Sequence, residues 1–158
     1  MAGITLTLDD TEFSRWLNKS LRSLNNPADA LREIGEVLVQ STQARFGTKK
    51  APDGSGWAAN SPVTIAIKGH GSQLRGESKM LGDTIHYQLD GAKAVMVGSN
   101  MPYAAVQQFG QSKGASGRTR RGAPIPWGDI PPRPFVGVSQ EDEDRITEIM
   151  ADYLLPGH

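Results

Sequence analysis

The pattern of apolar and polar positions predicts a short strand and two helices in the N-terminal third of the chain. Apolar and polar residues alternate over 3–8, which is the period of a half-buried strand. Over residues 11–24 the apolar positions instead recur at helical spacing. A second helix is predicted to start after the N-cap candidate Asn26, to reach Phe46 and to stop at Gly47.

A β-hairpin is predicted in the middle of the chain. Apolar residues alternate in Asp83–Leu89 and in Ala92–Gly98, and these stretches flank Asp90 and Gly91. Asp-Gly suits a type I′ turn, because both central residues of that turn need positive φ. The sequence therefore predicts two antiparallel strands, each with one buried face.

Three further types of segment complete the predicted architecture. Proline in the first turn indicates short helices over 62–68 and 103–109. The proline-rich stretch 130–138 is predicted as an extended edge segment of the sheet, since proline cannot donate into a sheet interior. Ser139 then caps a C-terminal helix that has acidic residues in its first turn and an apolar stripe behind them.

These elements indicate an α+β fold in a single domain, residues 1–158. The sheet is predicted to be small and mostly antiparallel, to contain the 83–98 hairpin, and to pack against two N-terminal helices and a C-terminal helix. The 18 glycines and 10 prolines suit a fold with long loops. The polar stretches 47–60, 69–79 and 111–124 are predicted to be flexible loops.

The composition of the chain argues against several kinds of catalytic and binding site. The chain has no cysteine, which excludes disulfides and thiol catalysis. Its 17 basic and 17 acidic residues cancel, so no overall attraction to nucleic acid is expected. The N-terminal residues lack the regions of a signal peptide, and no apolar run approaches the ~18 residues that cross a bilayer. We therefore expect a soluble protein made in a cytoplasm, with no membrane partner.

The sequence lacks the residue patterns of known active sites, which favours a protein with no active site, cofactor or metal. The histidines, His70, His86 and His158, lack the paired spacing of metal ligands. Ser55 lies in Asp-Gly-Ser-Gly, which is better explained as a turn than as a nucleophile site. The acids at 141–144 suit the start of a helix and do not converge as metal ligands would.

One loop has a local charge that the whole chain lacks. Residues 111–124 contain Lys113, Arg118, Arg120 and Arg121 and no acid. We favour a contact with a neighbouring subunit or partner that orders this loop on assembly. The alternatives are modest, salt-sensitive contact with DNA phosphates, or no role. No aromatic residues are interleaved with the cations for base stacking.

Four stretches in register resemble the phage virion morphogenesis family, of the tail completion (gpS-like or Mu gpG-like) kind. They are ARFGTKKAPDGSGWAANSPVT at 44–64, VMVGSN at 95–100, PYAAVQQFG at 102–110 and IPPRPFVGVSQED at 130–142. The order and spacing agree from about residue 10 to 155. Gln107 and Pro132 depart from the His and Ala that the family often shows. The Leu-Thr-Gly-Leu run that often precedes the hairpin is matched only loosely.

The resemblance implies a structural protein that acts late in the assembly of a tailed phage or prophage. It would work by stoichiometric contacts in tail completion or head–tail joining, with other tail and neck proteins as partners. Self-association into a ring, possibly six-fold to match a tail, is a hypothesis. The alternatives are a DNA-associated connector component that uses the 113–121 loop and a virion-carried cell-wall hydrolase. The hydrolase would need a paired carboxylate or a His-metal cluster, which the sequence lacks.

The motifs and the basic loop supply the candidate assembly residues. They are Arg45, Phe46, Trp57, Tyr103, Phe109, Lys113, Arg118, Arg120, Arg121, Arg133 and Phe135. Tyr103, Ala104 and Phe109 are predicted to form a packing face beside the hairpin. Arg133 is predicted to meet a carboxylate at a subunit boundary, because flanking prolines hold it rigidly, and Phe135 is predicted to enter the core.

Overall fold

The computed structural model describes residues 27–74, 80–91 and 93–154, and within them the chain forms five helices and two strands. They are α1 (Ala28–Thr48), α2 (Pro62–Lys68), α3 (Met80–Asp83), β1 (Ile85–Asp90), β2 (Ala94–Ser99), α4 (Ala104–Phe109) and α5 (Gln140–Leu154). The strand predicted at 3–8 and the helix predicted at 11–24 lie outside the described residues. Helices around a two-stranded antiparallel sheet confirm the predicted α+β class.

The end of α1 differs from the prediction. Gly47 lies inside the helix, and Lys49 terminates it in the left-handed conformation at φ 59°. The Lys49 amide donates to the Arg45 carbonyl, and the Lys49 carbonyl accepts from the Trp57 amide at 2.9 Å. The helix therefore ends where the next loop folds back on it. A tertiary contact, not the nearest glycine, sets the boundary.

The hairpin is present, but its register differs from the one predicted. Asp90 pairs with Ala94 and Tyr87 pairs with Val97, so the connection between the two strands is longer than the predicted two residues. The predicted two-residue Asp-Gly turn would have shifted the register by an odd number of residues. That shift would have put Val97 on the face opposite to Tyr87. The longer connection lets the apolar residues of both strands share one face.

The hairpin lies directly on α1. A Cβ atom at Gly35 would be 2.6 Å from the ring of Tyr87, so only glycine allows β1 to approach the helix this closely. α1 also contacts β2, α3 and α5. It is therefore the central element of the described fold.

Three aromatic rings from distant parts of the sequence form the centre of the core. The ring centroids of Phe46 and Trp57 are 5.6 Å apart in an edge-to-face arrangement, and those of Phe46 and Phe135 are 5.5 Å apart. Leu81 and Ile85 belong to the same buried cluster. The core therefore joins α1, the following loop and the proline-rich segment, and the prediction that Phe135 enters the core is confirmed.

The prediction that 130–138 extends the sheet is wrong. The described sheet has two strands, β1 and β2. Within this stretch, only Ile130 forms a ladder-like backbone pair, with Gln111. Prolines at 131, 132 and 134 remove three amide donors, and a regular ladder needs such donors. The backbone of this segment is bound by side chains instead.

The loop after α1 is already hydrogen-bonded within the single chain. The Ser55 amide and hydroxyl donate to the Asp53 carboxylate at 2.9 and 2.6 Å, and these bonds lower the pKa of Asp53. The Ala51 amide donates to the Ser55 carbonyl at 2.8 Å. The turn interpretation of Ser55 is therefore confirmed.

Candidate assembly surface

One amide side chain binds the backbone of residues 133–137, which we call the RPFVG segment. Gln108 Oε1 accepts from the Phe135 and Val136 amides at 2.9 and 3.1 Å. Gln108 Nε2 donates to the Val136 carbonyl at 2.9 Å. The side chain thus satisfies backbone groups that a neighbouring strand would satisfy in a sheet.

Arg45 binds carbonyl groups of the same segment. One guanidinium nitrogen donates to the Phe135 and Gly137 carbonyls at 3.0 and 2.8 Å. The other donates to Ser41 Oγ at 3.0 Å and to Asp142 Oδ2 at 2.6 Å. The Arg45 and Asp142 side chains are only 7% and 3% exposed. Arg45 therefore joins α1, the RPFVG segment and α5 in one buried network.

Asp142 has two roles in this network. Its carboxylate accepts from the Ser139 amide and hydroxyl at 2.9 and 2.7 Å, while the Asp142 amide donates to Ser139 Oγ. This reciprocal cap confirms the predicted start of α5 at Ser139. Burial alone would raise the pKa of Asp142, but hydrogen bonds from Ser139 and Ser41 and the charge of Arg45 together hold it below its ordinary value. The cap at Ser139 was predictable from the sequence, whereas the buried ion pair between Arg45 and Asp142 was not.

Arg133 points into its own chain. Its guanidinium donates to the Ala58 and Ala59 carbonyls at 2.8 and 3.0 Å and to Asn60 Oδ1 at 3.4 Å. Burial lowers the pKa of Arg133. The expected carboxylate is absent from these hydrogen-bond partners. Arg133 instead fixes the loop before α2, because its rigid flanks aim it inward.

The RPFVG segment is also fixed by an indole. Trp57 Nε1 donates to the Pro134 carbonyl at 2.7 Å, and the Trp57 side chain is buried. Through this contact Trp57 holds its loop, which was predicted to be flexible, against the RPFVG segment. The five most buried candidate assembly residues therefore form the internal framework of the chain: Arg45, Phe46, Trp57, Arg133 and Phe135.

α4 turns its aromatic residues outward. Ala104 is buried, whereas Tyr103 is 43% exposed and Phe109 is 78% exposed. Of the face predicted beside the hairpin, Ala104 is therefore buried in the single chain, whereas the Phe109 side chain lies mostly in solvent. The inward position, four residues after Ala104, belongs to Gln108. Gln108 was not among the predicted site residues. It lies in the PYAAVQQFG motif, and its position four residues after the small residue Ala104 was the signal that could have identified it.

Residues 111–130 form a hairpin-like projection, which we call the basic arm. Backbone hydrogen bonds join its limbs from base to tip: Gln111 with Ile130, Gly114 with Pro126, Ser116 with Ile125, Gly117 with Ile125, and Thr119 with Ala123. At the base, the Lys113 amide also donates to Asp129 Oδ1 at 2.7 Å. The stretch predicted to be flexible therefore already has a folded arrangement within the single chain.

The basic arm exposes both charge and apolar surface. Lys113, Arg118, Arg120 and Arg121 are all exposed, and Arg118 also donates to the Gly122 carbonyl inside the arm at 2.9 Å. The returning limb presents Trp127, which is 77% exposed. Trp127 was not among the candidates. The available signal was an aromatic residue in a stretch otherwise rich in glycine and proline.

A cleft of about 560 Å³ lies between α2 and the base of the arm, with Asn60, Leu74, Tyr103, Ile130 and Arg133 among its lining residues. In residues 27–74, 80–91 and 93–154, no group of histidine and acidic side chains is placed to hold a metal ion. None of the described helices is long and apolar enough to cross a membrane. The candidate site is therefore an exposed surface on α4 and the basic arm, supported by the buried residues around the RPFVG segment.

Comparison with known proteins gives the family. Residues 8–155 match the model of the phage virion morphogenesis family, which is most of the chain. The chain belongs to the phage virion morphogenesis family. The resemblance drawn from the four motifs is therefore confirmed, and the role of the protein is in building a phage particle.

Two proteins of known phage origin are similar to this chain. Tail completion protein S of Escherichia phage P2 is 29% identical over 126 residues, 77% of this chain and 80% of that protein. Mu-like prophage FluMu G protein 2 of Haemophilus influenzae (strain ATCC 51907 / DSM 11121 / KW20 / Rd) is 45% identical over 58 residues, which is 37% of this chain and 36% of that protein. No solved structure matches the chain significantly.

Proposed function

We propose that this protein completes the tail of a phage or prophage particle, or joins the tail to the head, through stoichiometric protein–protein contacts. The family match and the phage P2 relative support a role at the tail. The observation that carries the proposal is the exposed basic arm, supported on a buried framework. A surface of this kind can bind a partner without reorganising the core.

The apolar part of this surface suits protein contacts. Phe109 and Trp127 are each more than three-quarters exposed, at 78% and 77%. Large aromatic side chains are the residues that most often dominate binding energy at interfaces. Leaving both in water is unfavourable, so we infer that a partner covers them in the particle.

The partners in this proposal are other tail and neck proteins and further copies of the same chain. A ring, six-fold if it matches a six-fold tail, would place identical surfaces around the tail end. Each copy would act only as a structural subunit of that ring. No catalytic step, cofactor or metal enters the proposal, and the protein would be found in the virion at the tail or neck.

Complementation of a phage that lacks this gene tests the proposal. Phe109→Ser with Trp127→Ser should leave the protein folded but prevent infectious particles, with heads and unfinished tails visible by electron microscopy. Met96→Ser is the matched control, because Met96 is a 52% exposed apolar residue on the hairpin. Normal yields of joined particles from the double variant, or from the phage without the gene, would overturn the proposal.

A second candidate is a connector component that touches DNA. The exposed cations of the basic arm favour it, since Lys and Arg bind phosphates with strong salt dependence. Duplex binding that persists at physiological salt and falls on Arg120→Ala and Arg121→Ala would support it. Binding that vanishes at physiological salt would exclude it.

A further inference from the structure

We propose that the basic arm docks onto the exposed acidic face of α5 in a second copy of this chain. The inference rests on the proposed assembly function and names the contact that would build the ring. Two different surfaces of one chain would meet head to tail. Repetition of such a contact closes a ring when the rotation between copies allows it.

One face of α5 carries a row of acids. They are Glu141, Asp144, Glu148 and Asp152, and all are exposed. Their spacing of three, four and four residues places them on the same side of the helix. The partly buried residues Ile146, Ile149 and Met150 occupy the other side, and α5 packs against α1. The acidic face is therefore directed to solvent.

The neutral total charge of the chain conceals this separation. Residues 111–130 contain four cations and one acid, whereas 140–154 contain six acids and one arginine. Of the α5 acids, Asp142 is already neutralised by Arg45. The arm and the helix are thus charge-complementary surfaces of similar strength, and the remaining acids face outward.

The two surfaces are not paired within one molecule. In the described part of the chain, the ion pairs are Arg32 with Asp29 and Arg45 with Asp142. The arm cations therefore form no ion pair with the acids of their own α5. A second copy supplies the missing partner at both surfaces at once.

The arm offers more than charge to this contact. Trp127 and Ile125, which are 77% and 40% exposed, project from the limb that returns from the basic tip. They would bury apolar area while the surrounding charges select the partner and speed the encounter. A role in DNA binding alone leaves the acidic face of α5 and the exposed indole unexplained, so we favour the second copy.

Charge reversal tests the contact. An arm variant combines Lys113→Glu, Arg120→Glu and Arg121→Glu, and it keeps Arg118 because that side chain binds the Gly122 carbonyl inside the arm. A helix variant combines Asp144→Lys, Glu148→Lys and Asp152→Lys. The wild-type chain should self-associate in sedimentation velocity and native mass spectrometry. Each variant alone should weaken this association about 100-fold or more.

Mixing the variants gives the decisive result. In an equimolar mixture, every arm meets a helix of opposite charge only on the other variant, so alternating assemblies with even numbers of copies should form. A single chain that carries both sets of changes should also assemble. Its net charge equals that of the wild type, so recovery cannot come from a changed net charge. Lys49→Glu with Lys50→Glu and Lys93→Glu, three exposed residues outside the arm, should leave assembly intact.

Four outcomes would overturn the inference. They are a wild-type chain that stays monomeric at high concentration, variants that assemble as the wild type does, a mixture that remains monomeric, and an arm variant that loses duplex DNA binding but keeps self-association. Complementation separates these failures from failure of the proposed function. If the variants still complete tails in the phage assay, the assembly role stands and only the arm-to-helix contact is lost.

Discussion

The Arg45 guanidinium lies 2.6 Å from the Asp142 carboxylate, although 97 positions of sequence separate the two residues. Both side chains are almost completely buried. The pair also organises its surroundings, because Arg45 binds the RPFVG carbonyls and Asp142 caps α5. Removing either partner therefore affects three elements at once.

Asp142→Ala should lower the free energy of unfolding by about 3 kcal/mol or more, because it leaves the buried Arg45 charge uncompensated. Asp144→Ala, on the same helix but exposed, should change it by about 0.5 kcal/mol or less. Urea denaturation followed by circular dichroism measures both. Equal, small effects would show that the ion pair does not support the fold.

Acid should destabilise the protein partly through Asp142. Its pKa is lowered in the folded state, so the unfolded chain takes up the proton first as pH falls below about 4. The stabilisation is thus present above that pH and is lost as pH falls through the folded pKa. Asp142→Asn should flatten this decline in urea titrations from pH 6 to pH 2. Asp53→Asn should flatten the decline much less, because the Asp53 carboxyl is exposed and solvent weakens the interactions that lower its pKa.

Gln108→Leu should destabilise the protein by about 2 kcal/mol, because two backbone amides and one carbonyl of the RPFVG segment lose their partner. The neighbouring Gln107 contributes its backbone carbonyl, which accepts from the Arg133 amide at 2.8 Å. Gln107→Leu keeps that bond and is the matched control. Thermal melting that ranks Gln107→Leu as the more harmful change would refute the role given to Gln108.

Gly110→Ala should destabilise the base of the arm by about 2 kcal/mol. Gly110 has a φ of +76°, and a Cβ there would lie 2.7 Å from the Ile130 carbonyl oxygen. A Cβ atom at Gly128 would have no other group within 4 Å, so Gly128→Ala should be nearly neutral. Urea denaturation compares the two. Limited proteolysis of the arm should also accelerate only in the Gly110 variant.

Local sequence signals predicted the elements well. The hairpin, the short helices after Ser61 and Pro102 and the capped C-terminal helix are present within one or two residues of their predicted bounds. Each depends on neighbours in sequence, such as the Ser61 hydroxyl that accepts from the Thr64 amide. The motif spacing likewise sufficed to place the chain in its family.

Long-range relations were not predictable in this way. The hairpin register depends on which face α1 covers, and that is a tertiary property of residues such as Gly35 and Tyr87. Arg133 was predicted at a subunit boundary because prolines on both sides hold it rigidly, yet it donates to three oxygens of its own chain. Trp127 is 77% exposed although tryptophan is highly buried on average, and the local sequence pattern does not indicate that exposure.

The contacts around the RPFVG segment also set the order in which parts of the protein can fold during synthesis. Arg45 emerges from the ribosome some 90 positions before the Phe135 carbonyl that it binds and 97 before Asp142. Until residues 134 and 135 have been made, Trp57 lacks the Pro134 carbonyl and Phe46 lacks the Phe135 ring. Native contacts this distant in sequence delay folding. The buried Arg45 network therefore cannot close until Asp142, in the first turn of α5, has left the ribosome.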